Sequence, residues 1–129
     1  VNRFIVVLVS LFCAIAANAV AANWIMYNVD EKTNNTYWLD RSSLHMVENR
    51  NALFDIKVEF GNSTIKTVVW TERADCVSKK HKAEKETIYY RDGKVEGPGT
   101  PGDYRATWSD TPKDSVPELI CTGLFGEIN

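Results

Sequence analysis

The sequence lacks most of the features that declare a function at sight. Among 129 residues, fifteen Lys and Arg stand against seventeen Asp and Glu, a net charge of −2. Nucleic-acid binders normally gather a basic excess on one face, so this balance argues against that class. Histidine is scarce, with only His45 and His81, on different segments and without the glutamate–histidine spacing of a zinc protease. No glycine-rich phosphate loop occurs, and no Cys-x-x-Cys pair that would support redox chemistry. A metal or haem role for His45 or His81 is therefore weighed against an exposed or turn position, and the latter is the reading taken. No catalytic residue, metal or cofactor is expected, and no enzyme activity.

Long apolar runs are also missing. The longest extends from Phe4 to Ala17 and is broken only by Ser10. It is roughly fourteen residues, short of the ~20 that span a bilayer. Its surroundings give it another meaning. Arg3 is the only charge before Asp30, and the run ends in the small residues Asn18, Ala19, Val20, Ala21 and Ala22. A positive start, an apolar centre and an A-x-A end are the order of a secretory signal peptide. Residues 1–19 are expected to be removed, with cleavage between 19 and 22. A bacterial lipidation site at Cys13 would need a small residue before it, and Phe12 stands there. No membrane span is expected after cleavage.

Cysteine is sparse and odd in number, at three. Loss of Cys13 with the signal leaves Cys76 and Cys121, and loss of Arg3 takes the net charge to −3. An exported chain meets an oxidising compartment, where the two remaining cysteines are expected to bridge; two free buried thiols are the alternative. They stand 45 positions apart, and closing a loop of that size stabilises by ~4 kcal/mol in the chain-entropy model.

The remaining residues, 23–129, read as one domain made mainly of strands. Leu53 to Phe60 puts Phe54, Ile56, Val58 and Phe60 on one face and Asp55, Lys57 and Glu59 on the other, a period of two that a helix does not produce. Gly61-Asn62-Ser63 turns the chain into Thr64 to Cys76, where Val68, Trp70, Ala74 and Cys76 share a face with Lys66 and Glu72. Asn23–Val29, Thr36–Asp40, Ala83–Tyr90 and Lys94–Glu96 read as further strands, the last two joined by the hairpin signal Asp92-Gly93. Gly97–Gly102 reads as an irregular loop, since its prolines lack donors and its glycines are costly to order. Tyr104–Trp108 reads as a last strand. Ser115-Val116-Pro117-Glu118 has a capping-box pattern, so a short helix is expected to follow and to end at Gly123. The fold class expected is α+β, mainly β: a single antiparallel sheet of about six strands with a short, disulfide-tethered C-terminal helix packed on it.

The segments occur in an order that resembles the bacterial surface-adhesin protein E-like domain. Those that carry the resemblance are the Trp24 strand, Tyr37-Trp38-Leu39-Asp40-Arg41-Ser42-Ser43-Leu44, the alternating Leu53–Phe60 strand, and Ala74-Asp75-Cys76 with a basic stretch behind it. Tyr89-Tyr90, Trp108 before Thr111-Pro112, and Cys121 complete the set. The resemblance covers about Trp24 to Cys121. It implies a six-stranded antiparallel sheet with a C-terminal helix tied on by a Cys76–Cys121 bridge. Its founding member is a surface lipoprotein that binds host matrix and serum proteins and also haem.

Two local patterns invite a function. Asp40-Arg41-Ser42-Ser43 can be drawn as part of a nucleophilic triad with His81, but acidic and hydroxyl residues this close together more often build a side-chain-to-backbone turn. Lys79-Lys80-His81-Lys82 is the one concentrated positive charge, and Tyr89, Tyr90 and Arg91 follow nearby. Charges on one segment sum their potential, and tyrosine with arginine is a composition of recognition surfaces. These residues are the expected contact region for a protein or glycan partner; a solvated loop and cross-strand aromatics are the alternatives. Function is expected to be non-catalytic binding in the periplasm, cell envelope or medium. A self-associating assembly protein, with a homodimer formed through an exposed strand edge, is the alternative.

Overall fold

The computed structural model describes residues 21–123, so the export signal expected over residues 1–19 lies outside the described residues. Seven strands and two short helices follow in the order β1 (Trp24–Asp30), β2 (Asn35–Val47), β3 (Asn51–Glu59), β4 (Ile65–Asp75), β5 (Lys80–Tyr90), β6 (Val95–Gly99), α1 (Asp103–Ala106), β7 (Ser109–Asp110) and α2 (Val116–Cys121). Strands β1 to β6 lie side by side in chain order, every neighbouring pair antiparallel. Short β7 pairs with the start of β5, at Lys80 and His81, whereas β6 pairs with its later half. The expected class is what forms: a curled antiparallel sheet with a C-terminal helix.

The alternation seen in the sequence sets the faces. Leu39, Ile56 and Trp70 meet across β2, β3 and β4, as do Ala52 with Ala74 and Val58 with Val68. These side chains form the inner face, on which the buried residues gather in two clusters. Leu39, Leu44, Ala52, Phe54 and Ala74 pack with Val116 and Ile120 of α2, while Val58, Val68, Trp70 and Ala83 form the second cluster. Half-buried Ile56 touches both. A six-residue helix is unstable alone, so α2 holds its shape by docking Val116 and Ile120 here. Cys121 at its end is bonded to Cys76 just beyond β4, with 5.3 Å between Cα atoms.

Several local readings change. Strand β2 runs on to Val47 instead of ending at Asp40, with a break in its register against β3 between Asp40 and His45. That break is the side-chain-to-backbone turn. One carboxylate oxygen of Asp40 accepts from the Ser42 amide (3.0 Å), the Ser42 hydroxyl (2.6 Å) and the Asn23 amide (2.8 Å). Ser43 Oγ donates to the Asp40 carbonyl and accepts from the Asp55 amide, both at 2.7 Å. All of these oxygens are spent on structure.

Gly97–Gly99, expected as loop, closes β6 instead. An edge strand can carry Pro98, because a missing amide there leaves no ladder bond broken. Gly97 is required where it stands: its φ is +94°, and a Cβ would lie 2.4 Å from the Glu86 carbonyl oxygen. Tyr104–Trp108 is not a strand. Asp103–Ala106 forms one helical turn and only Ser109 and Asp110 join the sheet, because Tyr104 and Trp108 face solvent and bring no apolar face to bury. The capping box does not close either. Ser115 Oγ donates to the Pro112 carbonyl (2.6 Å), and Glu118 accepts from the Asp114 amide rather than from Ser115. Gly123 does take the left-handed conformation after α2, at φ +80°.

Candidate functional site

The inner face is not filled from end to end. Between α2, α1 and the strands lies a cavity of about 550 Å³, walled by Tyr27, Tyr37 and Trp70, with Leu119 of α2 at one side. Glu72 is buried deeper, half-buried His81 lies beside it, and Arg105 of α1 leans across. Alternation along β4 puts Glu72 on the same face as Trp70 and Ala74, directly across from Phe54 of β3. The result is a carboxylate on an apolar face, 4% exposed.

Its contacts are long. His81 Nδ1 lies 3.5 Å from Glu72 Oε2, and an Arg105 terminal nitrogen lies 3.7 Å from Oε1. Burying a carboxylate is costly without close donors, so this one keeps an unused capacity to accept. Arg105 is held mainly by Trp70, with the guanidinium carbon 3.9 Å from the ring centroid. The Trp70 indole N–H is itself fixed by Glu86 Oε2 at 2.6 Å. Tyr27 and Tyr37 lean together at 6.2 Å between ring centroids. Burial first, then the negative charge of Glu72, pushes the Tyr27 phenol up to about 12. The cavity is thus an aromatic box with a buried negative floor and a cation at its mouth.

The residues expected to bind a partner do not form one surface. Along β5, Lys80 and Lys82 point to the outer face, while His81 turns inward to Glu72. Lys80 pairs with Asp110 at 3.1 Å, and Lys82 Nζ lies over Trp108 at 4.8 Å. Lys79 sits in the turn before β5 with positive φ. Tyr89, Tyr90 and Arg91 are at the opposite end of this strand, about 30 Å away at 3.3 Å per residue. Tyr89 is exposed on the outer face, and Tyr90 is half-buried beneath Lys94. Arg91 clamps the β3–β4 turn by donating to the carbonyls of Ser63 (2.7 Å), Phe60 and Gly61. His45 is exposed and contacts the Ser43 carbonyl. Among the described residues no group of three or more His, Cys, Asp and Glu is arranged to hold a metal ion, and no helix is long and apolar enough to cross a membrane.

Of the expected site residues, only His81 and the bridge that anchors α2 belong to the cavity's surroundings. Glu72 and Arg105 are the residues that sequence reasoning passed over. A signal for Glu72 existed, since a charge at an inward position of a long alternating strand is an anomaly in itself. For Arg105 none did. A scan against models of known protein families finds no match to this chain, and a search of curated proteins finds none either.

Proposed function

We propose that this protein is a non-catalytic binding domain, exported to the periplasm or cell envelope, that takes its ligand in the inner-face cavity. The observation that carries this reading is the buried carboxylate of Glu72, 4% exposed, opening onto a roomy aromatic cavity with no donor closer than 3.5 Å among the described residues. A buried charge kept so loosely satisfied lowers stability, and pockets with apolar walls and a few convergent polar groups are where ligands bind. The Cys76–Cys121 bridge supports the extracytoplasmic half of the proposal, because such bonds persist in oxidising compartments. The resemblance to surface-adhesin protein E-like domains points the same way, towards binding rather than turnover.

The basic end of β5 is the competing contact surface, and one experiment separates the two. A photoreactive amino acid is placed either at Leu119, on the cavity wall, or at Lys79, in the basic turn, and the protein is irradiated in the cells that make it. Adducts from position 119 are expected. Adducts from position 79 alone would move the binding site to the basic turn. Adducts from neither would overturn the binding reading.

A further inference from the structure

Every one of the four tryptophans has a cation against its ring, and one of these contacts differs in kind. Lys57 Nζ lies over Trp24 and Trp38 at 4.6 and 5.2 Å, and Lys82 Nζ over Trp108 at 4.8 Å. The carboxylate beside Lys57 is that of Glu59, whose side chain is 46% exposed. Only the contact of Arg105 with Trp70 has a buried carboxylate behind it and a cavity around it.

Burial in that pair is lopsided. The Glu72 side chain is 5% exposed and that of Arg105 34%, so the negative charge lies deep and its cation rests at the mouth. At 3.7 Å their closest atoms are beyond hydrogen-bonding distance. The guanidinium is carried by α1, a single turn of four residues whose first-turn amides receive no side-chain cap. Gly97, Gly99 and Gly102 precede it, and apart from Pro101 the segment from Arg91 to Gly102 is exposed throughout. Such an element is cheaply displaced, because little buried surface holds it in place.

We infer that the cavity is a recognition site for a guanidinium or alkylammonium group, with Arg105 as its resident occupant, displaced when a ligand cation enters between Trp70 and Glu72. Trp70 offers a ring face, Tyr27 and Tyr37 line the wall, and Glu72 supplies the charge-assisted acceptor that Arg105 does not reach. Of the two carboxylates that line the cavity, Asp114 is exposed and Glu72 buried, so Glu72 is the anion that meets a ligand inside it. This inference rests on the cavity being the binding site, and it names the chemistry of what binds there.

Ethylguanidine at millimolar concentration is the probe, with uncharged ethylurea as its isostere, and the indole N–H resonance of Trp70 is the readout. Arg105→Ala vacates the mouth and is expected to bind ethylguanidinium with about millimolar affinity and ethylurea at least tenfold more weakly. Wild-type protein is expected to bind the cation at least tenfold more weakly than Arg105→Ala, because its own guanidinium competes. Adding Glu72→Gln to Arg105→Ala removes the charge preference while keeping the side-chain shape. Arg105→Gln serves in place of the alanine variant if amide dispersion shows that the latter is unfolded. Equal binding of both probes, cation binding that survives Glu72→Gln, or an unmoved Trp70 signal would each overturn the inference. If position 119 still yields photo-adducts in that event, the cavity remains the binding site and only its preference for cations falls.

Discussion

Glu72 and Tyr27 show how single residues carry the account. The alternation of β4 places Glu72 inward, and the fold keeps that alternation although it buries a carboxylate. Tyr27 faces the consequence: its phenol is pushed up from the usual 10 to about 12, by burial first and by the Glu72 charge second. In the unfolded chain the same phenol ionises near its ordinary value. Between these two values the unfolded state binds fewer protons than the folded one, so stability falls as pH rises through that window. Tyr27→Phe cannot ionise and loses this component. Wild-type protein should therefore lose up to about 2 kcal/mol relative to Tyr27→Phe between pH 10 and 12, measured as a difference in urea midpoints. Parallel pH curves for the two proteins would contradict the burial of the Tyr27 phenol in the cavity wall.

At the scale of elements, β5 decides which expectations hold. The compact run Lys79–Arg91 looks like one surface in sequence, but an extended strand spreads it over about 30 Å and sends alternate side chains to opposite faces. Arg91 then serves architecture, gripping the Phe60, Gly61 and Ser63 carbonyls of the β3–β4 turn. Arg91→Ala should cost about 1 kcal/mol in urea denaturation, a modest loss because the clamp is solvent-exposed. Photo-adduct yield at position 119 should stay unchanged; a fall in that yield would place Arg91 in the binding machinery after all. Strands β3 and β4 were legible because each has one buried and one wetter face, which writes a period of two into the chain. The Asp40 turn was legible too, since short polar side chains reach their own backbone wherever they cluster. Segment Gly97–Trp108 was not: an edge strand buries little, and a single helical turn leaves no period to read. Arg105 at the cavity mouth comes from that segment, so the cation of the candidate site was invisible beforehand. Arg105 meets Glu72 only through the folding of β5, α1 and β7 around one another.

As a whole molecule, the protein is a sheet whose core lies on one face and is closed at one end by a helix too short to stand alone. The bridge between Cys76 and Cys121 holds that closure. By loop entropy it stabilises by ~4 kcal/mol, a large share of the 5–15 kcal/mol typical of a small domain. Once the expected signal is removed, about 107 residues are left, a length that can fold alone but with little stability to spare. Export and function are therefore linked in this account: the oxidising compartment proposed from residues 1–19 is also what keeps α2 and its Leu119 on the cavity wall. Intact mass of the protein recovered from outside the cytoplasm, before and after reduction, tests that link most directly. The account predicts a chain beginning between Val20 and Asn23 whose mass rises by ~2 Da with reductant, as one bridge opens. A chain that retains residues 1–19, or a mass that reductant does not change, would contradict it.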